Sequence, residues 1–390
     1  MAKSFNKSFS VFLLPFLAFI FAFFIGGLVI VFTDPEIMKL IKSPLNFLTA
    51  AGSKIGNSYL AVFQGSIYDI NLSRKNGVLG GFYPLSETIV TSTPLILTGL
   101  AVALAFRSGL FNIGAQGQFI FGAIGASYVG FHFNFSPILH VVLALLAGIV
   151  LAGIYGGLVG VLKAKTGAHE VIVTIMLNYV ASLFILWILK TEAFLRPKQI
   201  DPIAPEVALS ARLPKLFGES QRIHLGIIIA LFVAVLVWWL ISKSTLGFKF
   251  RAVGANSNAA KSAGISIPFV TTATMFICGG LAGLGGALHT LGTEYALTAN
   301  VAGTFGFDAI TVALLGRATP QGTVLGAFLF GALQTGGRTL QSNTGTSSDI
   351  VQVIQALIVL FIAAPALIKY IFRVKQSVED KTLTAKGWNG

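Results

Sequence analysis

Charged residues and cysteines are scarce in this chain, and their scarcity excludes most classes of protein. Only 11% of the 390 residues are charged, 55% are hydrophobic, and the mean hydropathy is +0.82. A soluble domain carries about a quarter charged residues. The composition therefore predicts an all-α polytopic membrane protein. The single cysteine, Cys278, excludes a disulfide framework within the chain.

Motifs for catalysis or metal binding are also missing. The sequence has no G-x-x-x-x-G-K-[ST] phosphate loop, and its five histidines are scattered without an H-E-x-x-H pair. His169-Glu170 comes nearest but lacks a second histidine, so we expect it to be a solvated helix start. We therefore predict no catalytic residues, no metal site and no cofactor bound to this chain.

Apolar runs of spanning length recur along the whole sequence. They lie near 11–32, 88–105, 112–131, 138–161, 171–189, 224–241, 267–289, 321–337 and 350–368, with a tenth, short or broken segment at 304–316. Residues 11–32 are too long for a typical signal-peptide core and are interpreted as the first membrane helix. Ten crossings would place both termini on one side of the membrane.

The distribution of basic residues sets the expected orientation. With both termini cytoplasmic, the short outer loops carry only Arg338, whereas the inner loops carry Arg107, Lys163, Lys165, Lys243, Lys249, Arg251, Lys261 and Arg317. This is the positive-inside pattern of a multi-pass cell-membrane protein. The net charge of +13 is attributed to these loops and not to nucleic-acid binding.

Three regions follow from this topology. Residues 1–87 are predicted to be an N-terminal membrane helix with an outer segment, 88–370 the membrane domain, and 371–390 a cytoplasmic tail. Two outer segments, Thr33–Glu87 and Lys190–Ile223, contain prolines that are expected to break any long helix. They are either connecting loops with an interfacial helix or a docking surface for an external partner.

Uncharged polar residues inside the apolar runs need a reason, because they are costly at membrane depth. The candidates are Asn112, Gln116 and Gln118 in FRSGLFNIGAQGQF, Thr174 and Asn178 in TIMLNYVAS, and Asp308 in GFDAITVALLG. They either line a path for a polar, uncharged solute or form interhelical hydrogen bonds and helix caps. No ring of like charges indicates an ion channel.

A basic loop, GFKFRAVGANSNAAKSAGI from Gly247 to Ile265, separates two apolar runs. Lys249, Arg251 and Lys261 have no acidic partner within it, and small residues surround them. The pattern suits a short helix presented to a partner protein at the inner face. Alternatively, the charges do no more than maintain the topology.

Four stretches, FRSGLFNIGAQGQF, GAHEVIVTIMLNY, RAVGANSNAAKSAGI and GFDAITVALLGRATPQG, together resemble permease subunits of ATP-binding cassette importers. The resemblance covers residues 85–370 and is strongest to the nucleoside branch of the branched-chain amino acid and ribose permeases. It implies a type II importer-like fold, two ATPase subunits that bind ATP and Mg²⁺, a second homologous permease, an extracellular substrate-binding lipoprotein and surrounding lipid. The family's coupling helix maps onto Arg251, Ala252, Val253, Gly254, Asn256, Ala260, Gly264 and Ile265.

The expected function is thus a nucleoside permease energised by a separate ATPase. Within the same fold, a pentose or a branched-chain amino acid is an alternative substrate. An ion-coupled secondary transporter is a rival that predicts paired ionisable groups near the midplane. A membrane scaffold is a third possibility, which the interrupted, polar-lined helices disfavour.

Overall fold

The computed structural model describes residues 2–198, 201–218, 220–364 and 371. These residues are largely helical, and among them only two isolated bridges stand in place of strands. The helices are α1 (Ala2–Phe32), α2 (Pro35–Lys39), α3 (Pro44–Ser66), α4 (Ile70–Gly81), α5 (Tyr83–Arg107), α6 (Ala115–His132), α7 (Pro137–Thr166), α8 (Glu170–Ile188), α9 (Gly226–Lys243), α10 (Thr245–Ala255), α11 (Ser257–Ser262), α12 (Ile267–His289), α13 (Phe305–Leu315), α14 (Pro320–Thr344) and α15 (Asp349–Ala363).

The spanning helices confirm an all-α polytopic membrane protein. Five of the described helices are long and apolar enough to cross a membrane: α5, α7, α8, α9 and α12 with the π-helical turn Thr290–Glu294 that extends it. A sixth candidate is the pair Leu17–Phe32 and Pro35–Lys42, which is bent by 69°. The short tenth segment is confirmed as a short helix, α13. The ten crossings and the cytoplasmic termini stay predictions, and residues 365–368 of the last predicted span lie outside the described residues.

Contacts divide the chain into two compact units, and the larger is formed by Leu85–Ala332. Its core is a bundle of α6, α7 and α12, whose glycines let the backbones touch. A Cβ added to Gly122 would lie 2.1 Å from the carbonyl oxygen of Gly283, and one added to Gly279 would lie 2.2 Å from that of Ala152. Because the new atoms would meet backbone, the helices can approach this closely only with glycine there.

The described residues of the predicted outer segment Lys190–Ile223 are folded onto the ends of this bundle. Its backbone N–H groups at Ala204, Val207 and Leu213 donate to the carbonyl oxygens of Leu297, Tyr295 and Leu291, at 3.0, 2.9 and 3.0 Å. Its one described helical turn is the 3₁₀ turn Leu209–Ala211. The described part is therefore an ordered layer over the end of α12, and the expected interfacial helix is not found there.

The smaller unit comprises the described residues of Met1–Pro84 and Leu333–Gly390. The expectation that prolines break any long helix in Thr33–Glu87 is wrong, since α3 runs for 23 residues. Pro35 and Pro44 stand in the first turns of α2 and α3, where a missing N–H costs nothing. The Lys54 ammonium of α3 contacts the Asp34 carboxylate at 2.9 Å and the Thr344 carbonyl at 3.1 Å.

The two units are defined by contacts between residues. The three regions expected from the sequence, 1–87, 88–370 and 371–390, stay a prediction. Residues 372–390, the predicted cytoplasmic tail beyond residue 371, lie outside the described residues.

The glycine packing can be tested on α7. Gly156→Ala is expected to destabilise the larger unit by about 1–3 kcal/mol, since its methyl group would lie 2.4 Å from the Met275 carbonyl oxygen of α12. Thermal unfolding of the purified protein in detergent measures the change. The adjacent Gly157→Ala is the control, because its methyl group would make an ordinary contact at 3.4 Å with the Phe276 ring. Equal melting temperatures for the two variants would contradict this account of the bundle.

Candidate functional site

The start of α6 gathers most of the polar residues that the sequence singles out. Asn112, in the loop before α6, and Gln118 exchange two amide hydrogen bonds: Asn112 Nδ2 donates to Gln118 Oε1 at 2.9 Å, and Gln118 Nε2 donates to Asn112 Oδ1 at 3.1 Å. Both side chains are buried. The pair holds the loop against the first turn of α6, and Asn112 Oδ1 also accepts the Gly114 N–H at 3.1 Å.

Asn178 joins α8 to the same place. Its Oδ1 accepts the Gly117 N–H at 2.9 Å, and its Nδ2 donates to the Ile113 carbonyl at 2.9 Å. These backbone groups lie at the start of α6, where the first N–H groups have no partner within the helix. Thr174, one turn earlier on α8, packs beside Gly114 and donates its hydroxyl to the Glu170 carbonyl at 2.7 Å.

Gln116 connects the start of α6 to α13. Its Nε2 donates to the Gly303 carbonyl at 2.7 Å, and its Oε1 accepts the Gly306 N–H at 2.8 Å. Asp308 lies on α13 at intermediate burial, and its Oδ2 accepts the Thr304 hydroxyl at 2.6 Å. The structure thus brings Asn112, Gln116, Gln118, Thr174 and Asn178 together as the polar cluster. Its internal hydrogen bonds are those expected if these residues connect helices and cap helix ends. That the polar cluster also lines a path for a solute stays a prediction.

Two polar features were missed from the sequence. Between positions 86 and 98, α5 carries a row of buried hydroxyl side chains: Ser86, Thr88, Thr91, Ser92, Thr93 and Thr98. Threonine and serine barely lower the hydropathy of a run, so the only signal was their density in SETIVTSTPLILT. At the end of this row, Glu87 Oε2 accepts from Arg222 Nη1 at 3.3 Å.

Glu170 is the second missed feature. The expected solvated helix start is right for His169, whose side chain is exposed, and wrong for Glu170, which is buried. The Glu170 carboxylate pairs with the Lys163 ammonium of α7 and accepts the Phe111 N–H at 3.4 Å. A glutamate at the start of a helix is also favoured by the helix dipole.

The pattern of the basic loop predicted a short helix, and the structure has two there, α10 and α11. Ser244 caps α10 by accepting the Gly247 N–H at 2.9 Å, and Asn256 caps α11 by accepting the Ala259 N–H at 3.0 Å. Gly264, with φ +81°, ends α11 in the left-handed region. Arg251, Asn256 and Gly264 are exposed with Lys249 and Lys261, whereas Ala260 is buried.

Gly254 of α10 makes a contact of another kind. A Cβ on Gly254 would lie 2.5 Å from the Arg107 carbonyl oxygen and 2.9 Å from the Gly109 nitrogen. The end of α10 therefore rests directly on the backbone that follows α5. What remains exposed on α10 and α11 is a basic surface that includes the Phe248 side chain.

Comparison with known proteins identifies relatives along most of the chain. The family model described as branched-chain amino acid transport system / permease component matches residues 85–363. The chain is 41% identical to the guanosine ABC transporter permease protein NupP of Bacillus subtilis over 76% of this chain and 85% of the relative. It is 34% identical to the nucleoside ABC transporter permease protein NupB of Lactococcus lactis over 79% and 86%.

A third relative carries a different substrate in its name. The chain is 32% identical to the glucose ABC transporter permease protein TsgB13 of Haloferax volcanii, over 74% of this chain and 78% of the relative. No solved structure matches the chain.

The role of Asn178 in the polar cluster can be measured as stability. Asn178→Ala is expected to destabilise the larger unit by about 2–4 kcal/mol, because it leaves the Gly117 N–H and the Ile113 carbonyl without their partners. Thr174→Val is the control, since it removes only a hydrogen bond within α8. Thermal unfolding in detergent compares the two variants. A loss for Thr174→Val as large as that for Asn178→Ala would refute the bridging role of Asn178.

Proposed function

The chain belongs to the branched-chain amino acid transport system / permease component family, and on this premise we propose that it forms the membrane path for nucleosides in an ATP-binding cassette importer. As a member of this family it is a permease subunit, a transport component of the cell membrane. The observation that carries the substrate class is its similarity to two permeases named for guanosine and for nucleosides, at 41% and 34% identity. A sugar is the second candidate, favoured by the glucose permease at 32% identity.

The chemistry of the polar cluster is compatible with a nucleoside. Asn112, Gln116, Gln118 and Asn178 offer uncharged amide donors and acceptors, which match the edge of a base or the hydroxyls of a ribose. We place Thr174 and Asp308 on the same path. In the proposed cycle these amides exchange their present partners for the solute when the start of α6 moves relative to α8 and α13. Irregular backbone before α6 makes such movement easier than in a continuous helix.

Energy for transport is proposed to come from other chains. The sequence has no phosphate loop, so ATP and Mg²⁺ are assigned to two cytoplasmic ATPase subunits. The exposed surface of α10 and α11, with Arg251, Gly254, Asn256, Ala260 and Gly264, is the proposed coupling surface. Nucleotide-driven closure of the ATPases would displace this surface and tilt the packed helices between outward and inward access.

The complex also needs partners on the other faces. A second homologous permease would complete the path within the membrane, and an extracellular substrate-binding lipoprotein would deliver the nucleoside. Since the binding protein selects the solute first, the path itself needs only moderate specificity.

ATP-dependent uptake tests the proposal directly. The chain reconstituted in vesicles with its second permease, ATPases and binding protein is expected to import radiolabelled guanosine or uridine only when ATP is supplied. Excess unlabelled nucleoside should abolish the signal, and excess glucose should leave it unchanged. Competition by glucose alone would favour a sugar as the substrate. Uptake that follows an ion gradient without any ATPase would contradict the assignment as an ATP-driven importer.

A charge reversal tests the coupling surface. Arg251→Glu is expected to lower uptake by about tenfold, corresponding to about 1.4 kcal/mol of lost coupling, because an exposed cation of α10 would become an anion facing the ATPase. Membrane insertion should be unchanged. Lys243→Glu, at the exposed end of α9, is the control with the same charge change outside α10 and α11. Normal uptake by Arg251→Glu would remove this arginine from the mechanism.

A further inference from the structure

The backbone contact between Gly254 and Gly109 joins the proposed coupling surface to the interior of the larger unit. A Cβ on Gly109 would lie 2.9 Å from the Gly254 Cα, and Gly109 adopts φ +71°, which favours glycine. No side chain lies between the two backbones to absorb movement. A displacement of the end of α10 is therefore passed to residues 107–113, which we call the junction loop.

Besides its contact with α10, the junction loop makes three hydrogen bonds, one to the turn after α13 and two to α8. Arg107 Nε donates to the Ala318 carbonyl at 2.9 Å, which connects the loop to the turn between α13 and α14. The Phe111 N–H donates to Glu170 at the start of α8. The Ile113 carbonyl accepts from Asn178 further along α8. Each of these hydrogen bonds uses a backbone group of the loop or of its neighbour, so the bonds fix the position of the loop backbone.

Glu170 makes the tie to α8 rigid. Its side chain is 8% exposed and is held by the Lys163 ammonium at the end of α7. A buried carboxylate that loses its hydrogen bonds is costly, so the Phe111 N–H and the Lys163 ammonium tend to move with Glu170. Through this one side chain the junction loop is linked to the ends of both α7 and α8.

We infer that the junction loop is the element that carries the motion of α10 and α11 to the polar cluster, with Gly109, Arg107 and Glu170 as positioning residues. The inference rests on the proposed function. It adds a route: α10 follows α9 after the single extended residue Ser244, and α11 precedes α12, so motion passed along the chain alone would bypass the loop. In the route proposed here, α10 pushes the junction loop, which Glu170 holds to α8 at Phe111, and the residues beyond Phe111 shift the start of α6 against α8 and α13, where the amides lie.

The decisive variant is Gly109→Ala in the complete reconstituted transporter. It is expected to lower the nucleoside imported per ATP hydrolysed by about fivefold or more, while the ATPases still co-purify with the chain. Gly167→Ala is the matched control, because Gly167 also has φ +71° in a neighbouring loop but has open space where its Cβ would be. A role in folding alone would lower the amount of complex and leave the ratio unchanged. A Gly109→Ala ratio equal to that of Gly167→Ala would overturn the inference.

A second pair of variants covers the case in which Gly109→Ala does not assemble. Arg107 and Arg317 are both exposed arginines at the same end of the larger unit, and Arg107 holds the junction loop to Ala318. Arg107→Ala is expected to lower the ratio by about twofold to fivefold, and Arg317→Ala to leave it within about twofold of wild type. Equal ratios for these two variants would count against the loop.

A readout without substrate separates this inference from the proposed function. A fluorophore on Phe111→Cys can be attached selectively, because the native Cys278 is fully buried and the Phe111 side chain is 38% exposed. Adding ATP to the complex should change its emission in the otherwise native chain and in Gly167→Ala, and not in Gly109→Ala. If the complex shows this fluorescence pattern but imports no nucleoside, the proposed substrate is wrong and the role of the junction loop still stands. Identical responses in all three would reject the loop.

Discussion

Direct backbone contact between α6, α7 and α12 is the constraint on which the rest of the larger unit depends. Glycines at Gly122, Gly279 and Gly283 bring these helices so close that even one methyl group would collide with a carbonyl. Such a bundle behaves as a stiff body, because closely packed interiors do not deform continuously. For the proposed transport cycle, movement is therefore expected where the helices stop, in the loop before α6 and in the turns around α13.

The charged residues follow the same division between a stiff bundle and its helix ends. The described ionic contacts of the larger unit lie near helix ends, as for Glu170 with Lys163 and Glu87 with Arg222, or in the segment between α8 and α9, as for Glu206 with Arg212. The polar cluster is built from amides and a hydroxyl. Amide groups can change partners without moving a net charge through a medium of low dielectric constant, whereas breaking a buried ion pair there is expensive. A path for an uncharged solute is physically consistent with that arrangement.

Much of this architecture was predictable from the sequence, and the exceptions have physical causes. Long apolar runs located the spanning helices, and Gly303 with the short run at 304–316 anticipated α13. The small and basic residues of 247–265 anticipated one short helix where the structure has two, α10 and α11. The long helix α3 was not foreseen, because a proline reads as a helix breaker until its place in the first turn is known. The burial of Glu170 could not be predicted from the sequence, because it depends on how α7 and α8 pack against each other. The buried hydroxyl row of α5 was not predicted, because serine and threonine hardly change the mean hydropathy of an apolar run.

The ordered layer over the end of α12 has a consequence for the order of folding. Ala204, Val207 and Leu213 donate their N–H groups to carbonyls of residues 291–297, which leave the ribosome about eighty to ninety residues later. Until those residues have been synthesised, the three N–H groups lack the partners that they have in the folded protein. The layer between α8 and α9 is thus completed late, and a chain truncated before α12 would lack these three hydrogen bonds. Assembly of the membrane domain cannot be strictly sequential from its N-terminus.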